Sequence, residues 1–151
     1  MIKKEKYIKV IEKLKLVLKT DPELSINAKM SMISSILHHS YRHWLFCGFY
    51  NIINKNILEI GPYQGEILPC SHIEFSRGVC GEAVTKKKSI VVNDVSKYDN
   101  YISCDSKTKS EIVIPILKKD SIIGVLDIDS CIESDFDKID LKFLTEIIYL
   151  I

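Results

Sequence analysis

The stretch SEIVIPILKKDSIIGVLDIDS, residues 110–130, carries the clearest structural pattern in the chain. In both halves apolar residues alternate with other residues, which is typical of β-strands that present one face to a core. The polar residues Lys118 to Ser121 separate the halves and predict a turn. The stretch therefore predicts a β-hairpin formed by residues 110–117 and 122–129.

Three carboxyl groups are expected on one face of this hairpin. Glu111 alternates with isoleucines in the first strand, and Asp127 and Asp129 alternate with apolar residues in the second. If the apolar faces align, the acids meet on the other face, which requires an odd number of residues in the connecting loop. The acids either lie in solvent and aid solubility, or bind a cation and share protons. A Mg²⁺ or Ca²⁺ site is a third interpretation, although the segment has no recognised metal-loop spacing.

Further strands are predicted upstream of the hairpin. Residues 44–53, WLFCGFYNII, are rich in aromatic and β-branched residues and predict a strand that pairs with residues 57–60. Pro62 and Pro69 exclude a central strand in residues 61–71. We expect a helix in residues 79–87 and an apolar strand in residues 89–93.

Helices are predicted at both ends of the chain. Apolar residues recur at three- and four-residue steps in residues 2–18 and 23–41, with Asp21 as a cap and Pro22 at the first position of the second helix. Residues 135–151 predict the last helix.

The order of these elements predicts an α+β domain with a central antiparallel sheet of about five to six strands, flanked by helices. We interpret residues 1–151 as a single domain: N-terminal helices in residues 1–43, sheet, loops and pocket in residues 44–130, and a C-terminal helix in residues 135–151.

Composition and charge restrict the classes of function. The chain has 151 residues, 46% of them hydrophobic and 27% charged, which suffices for one packed core. The formal net charge of +1 gives no indication of a nucleic-acid or anionic-membrane partner. The N-terminus has no apolar signal segment, and no apolar run approaches the about 20 residues of a membrane span. We therefore expect a cytoplasmic protein with no nucleic-acid or membrane partner.

The cysteines suggest redox chemistry. There are five, an odd number that in a reducing compartment argues against a structural disulfide framework. Cys104 lies in a polar loop, where a thiol is chemically available. Cys80 lies at a predicted helix start, where the helix dipole lowers a thiol pKa. Cys70 lies in a loop rich in proline and glycine, whereas Cys47 is expected in the core and Cys131 at the surface.

Two kinds of site are compatible with Cys70, Cys80 and Cys104. A zinc site would add a histidine such as His72, but the spacing lacks the paired pattern of structural zinc sites. A redox set, in which one thiol reacts and another forms a disulfide with it, fits the loop positions better. The residues alone leave open which thiol resolves.

Five segments in order resemble the free methionine-(R)-sulfoxide reductases, which are stand-alone GAF-domain enzymes. The segments are GPYQGEILPC (61–70), RGVCGEAV (77–84), ISCD (102–105), SEIVIPI (110–116) and IIGVLDIDS (122–130). The match extends from about Gly48 to Ser130. It implies a GAF-like fold and the reduction of free methionine-R-sulfoxide to methionine.

The resemblance also implies roles for the cysteines. Cys104 would be the nucleophile and Cys70 the resolving thiol of first choice. Cys80 would be a third redox cysteine and the alternative resolving thiol. Attack by Cys104 would release methionine and leave a sulfenic acid, which Cys70 would convert to a disulfide. A thioredoxin-type reductant would restore the thiols. No cofactor and no metal are expected, and the family resemblance allows a homodimer.

The acids of the hairpin correspond to the acidic pocket of the family. Glu111 or Asp129, kept protonated by its neighbours, would donate a proton to the substrate oxygen. Asp127, together with the other two, would bind the substrate ammonium, which a residue within a peptide lacks.

Two departures from the family pattern concern the pocket and the C-terminus. The family usually has a tryptophan two residues before the sequence GFY, where this chain has Phe46. Trp44 is expected on the same strand face, so Trp44, Phe46 and Tyr50 are predicted to contact the substrate. The chain stops at Ile151, before the end of the longer family helix, which predicts a looser fold or dimer. The alternative function is a GAF module that senses a small molecule or redox state without turnover.

Overall fold

The computed structural model describes residues 2–151, so that Met1, the start of the predicted domain, lies outside the described residues. Four α-helices and six strands follow one another in these residues, in the order α1 (Lys3–Lys19), α2 (Ile26–Ser40), β1 (Trp44–Asn54), β2 (Ile57–Gly65), β3 (His72–Glu74), α3 (Gly78–Lys86), β4 (Ile90–Val92), β5 (Ser110–Lys118), β6 (Ser121–Ser130) and α4 (Lys138–Ile148).

The six strands form one sheet in the order β3-β2-β1-β6-β5-β4, and every neighbouring pair is antiparallel. The predicted α+β class with a central antiparallel sheet is therefore confirmed. In the described residues no helix combines the length and the apolar character needed to cross a membrane.

Each face of the sheet has its own apolar cluster. The core face packs against α1, α2 and α4 and includes Cys47, Phe49, Ile112, Leu126 and Ile128. The other face, called the site face below, packs against α3 and the loops, and its buried residues include Leu45, Phe46, Tyr50, Val113 and Val125.

The hairpin of β5 and β6 aligns its apolar faces as predicted, but not by the predicted loop. Its turn has two residues, Lys119 and Asp120, both with positive φ (49° and 65°), instead of an odd number. A register shift follows Ile116, which pairs with Gly124 while Leu117 pairs with Ile122. Ile123 is thus an extra residue, and this β-bulge corrects the parity of the two-residue turn.

Strand β2 is longer than predicted. It continues past the predicted end at residue 60 to Gly65 while pairing with β1, although these last residues were predicted to be partly loop. Tyr50 pairs with Ile60 and Gly48 with Tyr63, so that Pro62 lies in a bulge. The short β3, which was not predicted, pairs only with residues 57–59 and leaves the far side of β2 free at Pro62. The missing N–H of the proline therefore costs no ladder hydrogen bond.

Helices α2 and α4 begin later than predicted. The Ser25 side chain caps α2 by accepting a hydrogen bond from the Ala28 N–H (3.2 Å), so the predicted roles of Asp21 and Pro22 at this helix are wrong. Helix α4 begins at Lys138 after Asp137, which forms a capping box with Asp140.

A buried polar contact holds the first helix against the last. The Tyr7 hydroxyl donates to Asp140 (2.8 Å), and the Tyr7 ring stacks on Phe143 with centroids 5.2 Å apart. The Lys3 ammonium donates to the same carboxylate at 2.5 Å. Tyr7 and Asp140 are both almost fully buried, so water cannot reach their polar atoms, and each residue provides the hydrogen-bond partner that the other needs.

Candidate active site

Three acids meet on the site face because of the β5–β6 register. Glu111 pairs with Asp129, and Asp127 pairs with Val113, two residues further along the same face. Glu111 is 5% exposed and Asp127 is 6% exposed, so the interpretation of a solvated, merely solubilising face is wrong for both. Isolated carboxylates are rarely buried without a partner, which indicates a site that retains protons or receives a cation.

Helix α3 covers this acidic face with its first turn. Gly78, Val79 and Cys80 line the same cavity as the acids. Gly81 lets the helix pack closely on the segment that leads into it, since a Cβ there would lie 2.6 Å from the Glu74 carbonyl oxygen. The start of α3 thus lines the cavity, and the first N–H groups of a helix, which lack intrahelical acceptors, attract anions.

Burial controls the protonation of the acids. It raises the pKa of Glu111 and of Asp129 well above the ordinary value, and the negative charge of Asp127 raises both further. Burial raises the pKa of Asp127 to about 6, against the opposing effect of Cys80 and Glu111. Asp127 is therefore the first of the three acids to ionise, while the other two retain their protons to higher pH.

Asp127 also has an unused acceptor. Its Oδ1 atom is buried and has no hydrogen-bond partner. A buried carboxylate oxygen without a donor is unfavourable, and a ligand that brings a positively charged N–H group to it would remove that cost.

Cys80 does not have the environment predicted for it. Its side chain is 3% exposed, and burial, followed by the charges of Asp127 and Glu111, raises its pKa well above the ordinary value. The expectation of a lowered thiol pKa at the helix start is therefore wrong, because desolvation and two nearby acids outweigh the helix dipole.

Cys70 and Cys104 form a disulfide at the rim of the cavity. Their α-carbons lie 5.8 Å apart and their sequence positions 34 residues apart. Cys104, in the loop between β4 and β5, is exposed, and Cys70 is half-buried in the loop between β2 and β3. The Tyr50 hydroxyl donates to the Cys70 carbonyl oxygen at 3.0 Å and so connects this loop to the sheet.

Aromatic side chains form one wall, but Trp44 is not among them. Phe46 and Tyr50 line the cavity. Trp44 lies on the core face, stacked on Tyr41 with centroids 4.2 Å apart, so its predicted substrate contact is wrong. The cause is a β-bulge. Trp44 pairs with Ser130 and Phe46 pairs with Asp129, so that two residues along β1 correspond to one residue along β6. The side chains of Trp44 and Phe46 therefore lie on opposite faces of the sheet.

The zinc set considered from the sequence does not assemble. The disulfide occupies two of its thiols, and the exposed His72 ring bonds Glu59 at 3.1 Å. Among residues 2–151, the side chains that converge closely are Cys80, Glu111 and Asp127, with one donor atom from each within 4.8 Å of the others. Burial raises the pKa of Cys80 and Glu111, so a metal ion would have to displace their protons on binding.

The cavity is also lined by residues that were not predicted from the sequence: Ile67, Pro69, Ile73, Gly78, Val79, Tyr101, Ile102, Asp105 and Thr108. Ile73 is an apolar residue between His72 and Glu74, and that pattern was the available signal for it. Cys47 is buried and Cys131 is exposed, as predicted.

The chain is similar to known proteins over most of its length. A family model described as GAF domain matches residues 35–151. The free methionine-R-sulfoxide reductase of Saccharomyces cerevisiae is 38% identical over 141 residues, covering 87% of this chain and 77% of the relative. The enzyme of the same name from Escherichia coli is 37% identical over 126 residues, covering 83% of this chain and 75% of the relative.

A solved structure is also similar over nearly the whole chain. It is the X-ray structure of free methionine-R-sulfoxide reductase from Neisseria meningitidis in complex with its substrate. The TM-score is 0.92 at 32% sequence identity, with 99% of this chain and 88% of that chain covered.

Proposed function

The chain belongs to the GAF-domain family and, within it, to the free methionine-(R)-sulfoxide reductases; from this premise we propose that its cavity and its Cys70–Cys104 pair perform the reduction together. The substrate is free methionine-R-sulfoxide. The observation that carries the proposal is a disulfide at the rim of a cavity whose floor is made of buried acids.

The burial of the thiols supports the assignment of their roles. Cys104 is exposed at the mouth of the cavity, where it can meet the substrate and later a protein reductant. Cys80 is buried with a raised pKa, which disfavours its thiolate. Cys104 is accordingly the nucleophile and Cys70 the resolving thiol, while Cys80 belongs to the polar floor of the cavity.

The substrate binds through both of its charged ends. Its ammonium group donates to the Asp127 carboxylate, whose Oδ1 atom lacks any other partner. Its carboxylate accepts from the free N–H groups at the start of α3. Phe46 and Tyr50 contact the methyl-sulfoxide end. A methionine residue within a peptide lacks both charged ends, so it would leave Asp127 buried and unpaired.

The reaction needs a proton on the sulfoxide oxygen. Glu111 or Asp129, which burial and the Asp127 charge keep protonated, donates that proton as the Cys104 thiolate attacks the sulfur. The oxygen passes to the cysteine, so that methionine leaves and Cys104 becomes a sulfenic acid. The sulfoxide is reduced to methionine by two electrons, and the cysteine is oxidised by two.

The cycle closes through the disulfide. The Cys70 thiol attacks the sulfenic sulfur, a Cys70–Cys104 bond forms, and the oxygen leaves as water. A dithiol reductant of the thioredoxin type then attacks the disulfide, forms a mixed disulfide and leaves oxidised, with both enzyme thiols restored. The exposure of Cys104 in the disulfide gives such a protein access to the bond.

The test is thioredoxin-coupled oxidation of NADPH with three substrates supplied separately: free methionine-R-sulfoxide, free methionine-S-sulfoxide and a peptide that contains methionine sulfoxide. We expect turnover with the first only. Turnover of the peptide would contradict recognition of the charged ends. Absence of turnover with all three, using fully reduced protein, would favour a GAF module that binds or senses without catalysis.

A further inference from the structure

The loop that carries Cys104 is docked on helix α3 by polar contacts that the reaction above does not use. The Tyr98 hydroxyl donates to the Glu82 carboxylate. Two residues later, the Asn100 side-chain amide donates to the Ser76 carbonyl oxygen at 3.2 Å. Both acceptors belong to α3 or to the segment that leads into it, so the loop is held on the same element that covers the acidic cavity.

A third, apolar contact continues the docking. The Ile102 side chain packs over Gly78, where an added Cβ would lie 3.0 Å from the Ile102 Cδ1 atom. Gly78 has a φ of 68°, a conformation that glycine adopts without strain. The contacts come from residues 98, 100 and 102, every second residue of the segment that ends at Cys104. At its base the loop is closed by a hydrogen bond from the Val95 N–H to the Lys109 carbonyl (2.9 Å).

The hydrogen bond between Tyr98 and Glu82, called the latch below, has its donor and acceptor in the required charge states. Hydrogen bonds from Lys86 and from Tyr98 lower the pKa of Glu82, so this carboxyl is ionised near neutral pH. Burial, together with the Glu82 charge, raises the pKa of Tyr98, so the hydroxyl keeps its proton. Hydrogen bonds to an ionised acceptor are among the stronger ones in proteins.

We propose that Tyr98 and Glu82 are positioning residues that hold the Cys104 loop on α3 so that Cys104 stays within bonding distance of Cys70. This inference rests on the proposed roles of Cys70 and Cys104. The latch and the disulfide each restrict the same loop. Once one of them has formed, the loop has less chain entropy left to lose when the other forms. By linkage, the latch favours the disulfide and the disulfide favours the latch to the same extent.

The equilibrium between the reduced and the disulfide form measures this coupling without the sulfoxide substrate. The full chain is equilibrated in buffers of reduced and oxidised glutathione, in a Cys131→Ser background that removes the exposed thiol. The fraction of Cys70–Cys104 disulfide is read by alkylation and mass spectrometry. A hydrogen bond to a charged group at this partly exposed place is worth about 1.4 kcal/mol, so we expect Tyr98→Phe to lower the equilibrium constant about tenfold, about 30 mV for a two-electron couple.

Matched variants distinguish positioning from a general structural role. Glu82→Ala should lower the equilibrium constant of the disulfide tenfold, as Tyr98→Phe does. Glu82→Gln keeps a hydrogen-bond acceptor, so its equilibrium constant should stay close to that of the wild type. Lys86→Ala removes only the ion pair to Glu82 and should change the equilibrium constant less than twofold. The double variant Tyr98→Phe/Glu82→Ala should be no worse than either single variant, because both remove one shared hydrogen bond.

The kinetic counterpart is a lower kcat for methionine-R-sulfoxide, because the latch positions the loop that carries Cys104 and does not itself contact the substrate. The inference is overturned if Tyr98→Phe, with an unaltered melting curve, has the wild-type glutathione equilibrium, or if the two single effects add in the double variant. If Tyr98→Phe does not fold, Glu82→Ala decides. A protein that reduces no sulfoxide would refute the proposed function but leave the glutathione result intact, and the reverse also holds.

Discussion

Substitution of Asp127 by asparagine should weaken substrate binding and stabilise the empty protein at the same time. Asparagine keeps the shape of the side chain but removes the buried negative charge. The pKa of Asp127 is about 6 in the folded protein against 3.8 for an unperturbed group. Between these values the unfolded chain has released this proton while the folded protein still binds it. The contribution of Asp127 to the free energy of unfolding therefore falls as pH rises from 3.8 to about 6 and is constant above it.

The magnitude follows from the same two values. At 1.36 kcal/mol per pH unit, the interval from 3.8 to about 6 corresponds to about 3 kcal/mol of stability that the wild type loses and Asp127→Asn retains. Removal of the Asp127 charge also lowers the pKa of Glu111 and Asp129, which adds to the contrast. For the substrate, loss of a buried carboxylate partner costs about 3 kcal/mol or more, which raises KM about 100-fold or more.

The assay is urea denaturation of the fully reduced protein at pH 4 and pH 8, with kcat and KM for methionine-R-sulfoxide measured alongside. The matched control is Asp120→Asn, in the exposed turn of the same hairpin, where asparagine suits the positive φ of 65°. We expect the control to follow the wild type in both measurements. Equal pH dependence of stability in the wild type and Asp127→Asn, or a KM within a few-fold, would refute the reasoning.

Five other substitutions test three separate parts of the molecule. Cys70→Ser should release one methionine per protein in a single-turnover experiment yet fail in thioredoxin-coupled turnover, whereas Cys104→Ser should fail in both; repeated turnover by Cys70→Ser would remove it from the resolving role. Tyr7→Phe leaves a buried carboxylate without one donor and should cost about 2 kcal/mol in urea denaturation with kcat unchanged; unchanged stability would contradict this. Trp44→Leu should cost about 3 kcal/mol of stability at an unaltered KM, whereas Phe46→Leu should raise KM. If Trp44→Leu raised KM and Phe46→Leu did not, the assignment of Phe46 to the cavity would be refuted.

The sequence predicted those features that depend on strict alternation or on helical periodicity. The acids at positions 111, 127 and 129 were placed on one face by the alternation of the hairpin, and the structure has them there. The same rule failed for Trp44, since an extra residue in β1 shifts the alternation by one step, and nothing in the local sequence marks that bulge. The predicted odd number of residues in the β5–β6 turn was wrong for the same reason, because a β-bulge adds one residue to β6.

Burial was the second property that the sequence did not provide. A lowered thiol pKa was predicted for Cys80 from its place at a helix start. The pKa depends instead on the burial of the thiol and on the acids that face it. The pairing of Cys70 with Cys104 likewise followed from the family resemblance alone, since 34 residues of chain separate the two thiols and only the fold brings them together.

The 34-residue separation of the paired cysteines has a thermodynamic consequence for a working enzyme. While the bond exists, the segment that contains β3, α3 and β4 is a covalent ring, which restricts the unfolded chain. In the chain-entropy model a ring of this size stabilises the folded state by about 4 kcal/mol. Each catalytic cycle would then close and open the ring, so the protein alternates between a more stable and a less stable form. The reduced form, which is the one ready for substrate, is the one more exposed to unfolding.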